Sequence, residues 1–346
     1  LKWKGKKKQM RLAKLKFWKR RLALFPNVCS HASKMKATIG KNLSKAKEIL
    51  EKNGIVGVPT ETVYGLAANA LNQKAISDLF FLKKRPLSNP LNLQVASIDR
   101  CMPLVDSFPE NALLLAKKFW PGPLTLLLPK SKLVPSIVNA NKKEIGLRIP
   151  DSKLTLKLLQ EVPFPLAVPS ANFYGEISAT NPENVMHQFG DKIEYILDGG
   201  KSLKGIESTI VGFSDQQAII YRLGAIGIEE IEETIQSKVS LASHSAKKSF
   251  SIKTPFYVLK SLKEIHALSD KKIGIIHFNT EANKHIPLSN QLWLTKETSL
   301  EDASKNLYDR ISQLDRMNLT GIYMLSLPND GIGVQLNSLL QQITKI

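Results

Sequence analysis

Helical spacing and short apolar runs alternate along this chain from residue 43 onward. Ala46, Ile49 and Leu50 fall on one helical face, and the run GIVGVPT behind them has the length and continuity of a buried strand. The spacing of Ile76, Leu79 and Phe80 predicts a second helix, ended at the Lys83-Lys84-Arg85-Pro86 break. NLQVA, LTLLLP, IGLRIP and FPLAVPS then read as strands, with helices predicted near 110–119 and after Ser152. EYILDGG, STIVGF and QAIIYRLG continue the strands, and an acidic helix is predicted around 228–236. Apolar strands mixed with helices imply an α/β fold, a twisted sheet covered by helices rather than a sandwich.

Residues 237–254 (SKVSLASHSAKKSFSIKT) are rich in Ser and Lys and lack periodicity, which suits a linker. Beyond them FYVL, KKIGIIHF, QLWLT and GIYMLSL read as strands. Leu300, Ala303, Leu307, Ile311 and Leu314 mark one face of a helix between the last two. This alternation predicts a small Rossmann-like α/β domain. The expected organisation is therefore a basic arm over 1–34, an α/β domain over 35–236, a linker over 237–254 and a C-terminal domain over 255–346.

Composition changes the picture in three places. With 346 residues, 43% hydrophobic and 23% charged, the chain is ordinary globular material for about two domains. Two cysteines, Cys29 and Cys101, cannot build a disulfide framework. No stretch approaches the roughly 18–20 consecutive apolar residues of a membrane span. A cytoplasmic protein without membrane partners is expected. The net charge of +19 is uneven, because residues 1–34 hold twelve Lys/Arg and no acid. With Trp3, Phe17 and Trp18 among its lysines, that arm suits RNA contact or a basic surface-binding or targeting segment. Met35, just before KATIGKNLSK, also suits an alternative start, with the arm outside the native protein.

Familiar nucleotide and hydrolase motifs fail. ILDGGKS has Tyr195 where a Walker loop needs Gly, and GIGVQL has Leu336 where a dinucleotide fingerprint needs its third Gly. The six histidines show no zinc spacing, so no protein-held metal is expected. What remains is a set of polar residues near strand ends: Thr60, Glu61, Thr62 and Tyr64 in PTETVYGL; Lys83, Arg85 and Asn89 in KKRPLSNP; Ser170 and Asn172 in PSAN; and Glu207, Ser208 and Thr209 in GIESTIV. Strand ends of open α/β sheets are where ligands bind. Single hydroxyls there are often only turn formers. Arg148 in IGLRIP and Arg222 in AIIYRLG carry more weight, since a guanidinium within an apolar strand needs an anionic partner and suits a carboxylate or phosphate. These residues imply a cleft for a small molecule bearing one of those groups.

GVPTETVYGLAANA, KKRPLSNPL, FWPGPLTLLLP, GLRIPDS, PLAVPSAN, ILDGG, GIESTIV and YRLGAI occur in an order that resembles the YrdC-type threonylcarbamoyl-AMP synthases, in their long two-domain form. The resemblance implies a YrdC-like α/β domain with a concave cationic cavity. It also implies a nucleotidyltransferase reaction in which L-threonine, bicarbonate and ATP give threonylcarbamoyl-adenylate and pyrophosphate. Mg2+ would be held mainly by the ATP phosphates. The product would pass to a tRNA threonylcarbamoyl transferase complex for N6-threonylcarbamoyladenosine formation. Carried over by motif, Lys83, Arg85, Asn89, Ser170, Asn172, Ser178 and Arg222 would hold ATP. Thr62, Gln94, Arg148 and Ser208 would hold threonine. No dedicated acid or base is implied. The alternative is a structured-RNA-binding or ribosome-associated module of the same fold.

Three departures matter. Gln94 replaces a threonine-contacting His, and keeps hydrogen bonding without charge. Glu144 stands where the family tends to carry Thr or Ser near ATP. The family's linker pattern, which crosses the active site, is eroded to ASHSAKKSFSIKT. Loss of the linker's clasp is expected, with Phe250, Phe256 or nearby lysines as the alternative means of closure.

Overall fold

The computed structural model describes residues 36–214, 217–242 and 250–343. The basic arm and Met35 lie outside these residues. Polar caps set the helix starts that the apolar spacing leaves open. Asn42 accepts from Lys45 N at 3.0 Å to open the helix Leu43–Glu51, and Asn72 accepts from Ala75 N at 2.9 Å to open Gln73–Leu82. Ser152 precedes the helix Lys153–Glu161, yet its side chain makes no capping bond.

Eleven strands form the first sheet: β1 (Thr38–Gly40), β2 (Val56–Val58), β3 (Gly65–Asn69), β4 (Asn92–Gln94), β5 (Leu124–Pro129), β6 (Glu144–Arg148), β7 (Leu166–Ala167), β8 (Tyr195–Leu197), β9 (Thr209–Ser214), β10 (Gln217–Arg222) and β11 (Ser240–Leu241). Their order is β1-β8-β2-β3-β7-β4-β6-β5-β9-β10-β11, with parallel and antiparallel neighbours mixed. Leu66, Leu93, Leu126, Leu147 and Val211 bury its apolar positions against helices. β1, β3 and the helix Pro182–Phe189 are elements that the apolar pattern does not predict.

Register lines up one row of polar side chains across this sheet. Gln94 of β4 pairs with Arg148 of β6, Thr125 of β5 with Ile210 of β9, and Ile210 with Arg222 of β10. The Arg148 and Thr125 ends meet one step past the Leu147–Leu126 pair. Register partners share a face, so the row presents its polar groups together. A bulge between Ile220 and Arg222 re-aims the arginine out of strict alternation.

The stretch 237–254 is not uniform. Ser240–Leu241 pairs in parallel with Ile219–Ile220 as the edge of the first sheet. Phe250, Ile252 and Thr254 are buried, and Ser251 N donates to Gly175 O at 2.6 Å. Residues 243–249 are outside the described set.

The second sheet runs β12 (Phe256–Leu259), β13 (Ile273–His277), β14 (Gln291–Trp293) and β15 (Gly321–Leu325), in the order β12-β15-β13-β14 and wholly parallel. β13 is buried along its whole length, as a parallel strand covered on both faces must be. The helix Leu300–Asp315 buries Ala303, Leu307, Ile311 and Leu314 as the spacing predicts. It also buries Ser304, Tyr308 and Asp309, which the apolar pattern does not predict. A final helix, Ile332–Ile343, completes this layer. Among the described residues no helix is long and apolar enough to cross a membrane.

Candidate active site

Lys83 ends the helix Gln73–Leu82, and its buried Nζ donates to the carbonyls of Ser170 and Asn172, each at 2.5 Å. Ser170 Oγ donates to Asn172 Oδ1 at 2.5 Å, and Asn172 Nδ2 donates to Phe173 O and Glu176 O. The lysine therefore ties the PSAN turn to the KKRP turn. Tyr174 N donates to Lys83 O at 2.9 Å, and the Tyr174 ring lies 5.8 Å from the Arg85 guanidinium. Arg85 donates through Nε to Asn89 O and through Nη2 to Asn89 Oδ1, both at 3.0 Å, and to Pro90 O. It pairs with no carboxylate among the described residues. Burial pushes its guanidinium down to about 10, with nearby Arg222 acting in the same direction and Tyr174 opposing. It remains a cation at neutral pH.

Within the row, Arg148 meets the loop behind β2. Its Nη2 donates to Glu61 Oε1 at 2.5 Å and to Thr62 Oγ1 at 2.9 Å, and its Nε donates to Gly122 O. Glu61 Oε2 accepts from Asp151 N at 2.9 Å. The anionic partner that the sequence reading assigned to a ligand is thus supplied in part by the chain itself. Nη1 of Arg148 has no hydrogen-bond partner among the described residues, so the guanidinium keeps donor capacity. Gln94, its register neighbour, is buried, and its Oε1 has neither solvent nor a donor. A closed acceptor without a donor is costly unless a ligand supplies one.

Arg222, at the β10 end of the row, stands with Ser208. Arg222 donates through Nε to Ser208 O and through Nη2 to Ser208 Oγ, both at 2.9 Å, while Thr125 Oγ1 lies 2.8 Å from Ser208 Oγ. Burial lowers the Arg222 pKa; Glu207 and Tyr308 oppose that shift and Arg148 adds to it. Ser178 Oγ donates to Glu207 Oε1 at 2.9 Å. Three guanidinium groups therefore sit within electrostatic reach, balanced by Glu61 and Glu207. The arrangement can bind an anion at Arg85 and Arg222 and a second polar group at Arg148 and Gln94.

The Sua5/YciO/YrdC sequence profile, described as telomere recombination, matches residues 48–224. A threonylcarbamoyl-AMP synthase of Bacillus subtilis is 30% identical over 326 residues, covering 88% of this chain and 94% of that one. This chain belongs to the Sua5/YciO/YrdC family. A threonylcarbamoyl-AMP synthase of Pyrococcus abyssi is 42% identical over 190 residues, and the match spans 55% of this chain and 56% of that protein. A crystal structure of P. abyssi Sua5 complexed with L-threonine superposes with a TM-score of 0.81 at 29% identity, covering 90% of this chain and 99% of that one.

The family match contains all eleven residues expected to hold ATP or threonine. The contacts above link Lys83, Ser170 and Asn172 in one group, Arg85 with Asn89 in a second, Arg222 with Ser208 in a third, and Arg148 with Thr62 in a fourth, which Gln94 joins by strand register alone. Ser178 joins through Glu207. Glu144 begins β6, four residues from Arg148 and about 13 Å away at strand rise. Burial raises its pKa, with Lys142 opposing. Sequence reasoning flagged Glu61 and Glu207 without a role and passed over Thr125 and Tyr308. An acid between two threonines in an otherwise apolar stretch was the available signal for Glu61.

Among the described residues no three His, Cys, Asp or Glu side chains form a group able to hold a metal ion. Glu61 and Glu207 each accept a hydrogen bond at both oxygens.

Proposed function

We infer that the chain is a threonylcarbamoyl-AMP synthase, making threonylcarbamoyl-adenylate and pyrophosphate from L-threonine, bicarbonate and ATP. The observation that carries this reading is the row Gln94–Arg148 beside Arg222 and Ser208: a guanidinium with spare donor capacity next to a buried acceptor that lacks a donor. An amino acid supplies both complements, a carboxylate for Arg148 and an N–H or O–H for Gln94 Oε1. Thr62 and Ser208 complete that subsite. Lys83, Arg85, Asn89, Ser170, Asn172, Ser178 and Arg222 take ATP, with Arg85 and Arg222 facing phosphate charge.

The chemistry then asks little of protein acids or bases. Threonine's amine takes up bicarbonate-derived CO2 as a carbamate, whose oxygen attacks the α-phosphorus while pyrophosphate departs in line. Holding the two reactants in register and stabilising the phosphoryl oxygens supplies the rate. Mg2+ enters as part of the nucleotide substrate, which suits a site whose carboxylates are already committed. The adenylate is an activated acyl donor, and a tRNA-modifying transferase is its consumer in N6-threonylcarbamoyladenosine formation. With tRNA as acceptor, we read the enzyme as cytoplasmic. Pyrophosphate release from ATP by the purified protein should require both threonine and bicarbonate; release independent of threonine would overturn the reading.

A further inference from the structure

We propose that Tyr308, on the helix Leu300–Asp315 of the second sheet's layer, is a positioning residue for the nucleotide subsite: its hydroxyl fixes Glu207, and Glu207 fixes Ser178 and balances Arg222. This rests on the reading of Ser178 and Arg222 as nucleotide contacts given above. Tyr308 is fully buried, and its hydroxyl donates to Glu207 Oε2 at 2.7 Å. The other oxygen, Oε1, accepts from Ser178 Oγ at 2.9 Å. One carboxylate thus spans the two layers, taking a donor from each. Burial and the adjacent carboxylate push the Tyr308 phenol far above its usual value, so it stays protonated and donates throughout the working pH range.

The contact is part of a wider dock. On the same face of the helix, one turn earlier, Ser304 Oγ donates to Lys204 O. Asp309 Oδ1 accepts from Asn181 Nδ2 at 3.1 Å and from Asn184 Nδ2 at 3.2 Å. Gly205 lies against the helix backbone, where a Cβ would come within 2.3 Å of Ser304 O, and its φ of +71° independently calls for glycine. The segments bearing Ser178 and Glu207 are therefore both held by one helix of the C-terminal layer. Ser178 has its acceptor within the protein, so its placement depends on where Glu207 is held. With Tyr308 absent, Glu207 Oε2 loses the hydroxyl that fixes it, and the hold of Oε1 on Ser178 slackens.

The test is Tyr308→Phe in the full chain, which keeps the ring and its packing against Phe250. The expected result is a KM for ATP raised about tenfold, with kcat and the KM for threonine within about twofold, as for loss of one buried bond to a charged group. In a double-mutant cycle with Ser178→Ala, the effect of Tyr308→Phe on ATP affinity, read by calorimetry, should shrink to within about twofold. An unmoved KM for ATP, or an effect undiminished in the Ser178→Ala background, overturns the relay. Should Tyr308→Phe not fold, Glu207→Gln carries the same cycle, with the same two outcomes deciding. If the parent chain binds no ATP, the nucleotide reading fails and the relay with it; if the parent binds and the variant binds equally, the relay alone fails.

Discussion

Arg148 and Glu61 meet at 2.5 Å with side chains only 7% and 3% exposed, so the guanidinium proposed to take an amino-acid carboxylate already has an anionic partner within the chain. Glu61 holds the guanidinium in place through Nη2 and is itself held by Asp151 N. Truncating the arginine therefore does two things at once. Arg148→Ala should abolish threonine-dependent turnover and also destabilise the fold by about 3–5 kcal/mol, because it strands a buried carboxylate. Glu61→Gln leaves the guanidinium a neutral acceptor and should cost less stability. Urea denaturation and threonine calorimetry on both variants check this, and unchanged threonine affinity in Arg148→Ala would defeat the carboxylate assignment.

Gln94 offers a cleaner separation of binding from folding. Its Oε1 meets no donor among the described residues, so Gln94→Leu removes an unsatisfied buried acceptor at similar volume. The melting temperature should stay level or rise, while threonine affinity falls about fivefold or more. A drop in both would mean that the amide has a structural role.

The segment following residue 249 should behave as part of the site and not as free tether. Phe250 and Ile252 share an apolar cluster with Val63, Ile177 and Ile206, and the Phe250 ring lies 5.8 Å from that of Tyr308. Phe250→Ala should cost about 3–4 kcal/mol and open new proteolytic cuts within 250–254. An identical cleavage pattern in the two proteins would show that the packing matters little.

Cys101 is fully buried, and burial pushes its thiol up to about 12. In a Cys29→Ser background, a thiol reagent at pH 8 should leave the native chain unlabelled and react fully after denaturation. The folded state keeps this proton where the unfolded state loses it, so the thiol's contribution to stability declines as pH rises from about 9 toward 12. Rapid native labelling would show that the core around Cys101 opens readily.

Much of this was legible in the sequence. Apolar periodicity predicted most strands because they are buried, and the polar interruptions Arg148 and Arg222 stand out as candidate site residues because charge is costly there. The partners were harder to read. Glu61 reaches Arg148 across 87 residues, and Tyr308 reaches Glu207 across 101, distances at which one-dimensional spacing carries no signal. The helix Leu300–Asp315 shows why: its apolar stripe was visible, but Ser304, Tyr308 and Asp309 look like an ordinary wet face until another layer covers them. Short elements such as β1 and β3 were missed because three to five residues, rich in Gly, Ala and Thr, have too little periodicity to stand out.

The strand order has a consequence during synthesis. β1 and β2 both pair with β8, which leaves the ribosome some 140 to 160 residues after them. At roughly 5–20 residues per second, the first strands wait about seven to thirty seconds for their neighbour. Through that interval Val56 and Val58 have the β3 hairpin and the helix Leu43–Glu51 beside them but lack β8. Nascent chains stalled before Tyr195 should therefore be the form that chaperones hold, and those extended past Leu197 the first able to close the sheet.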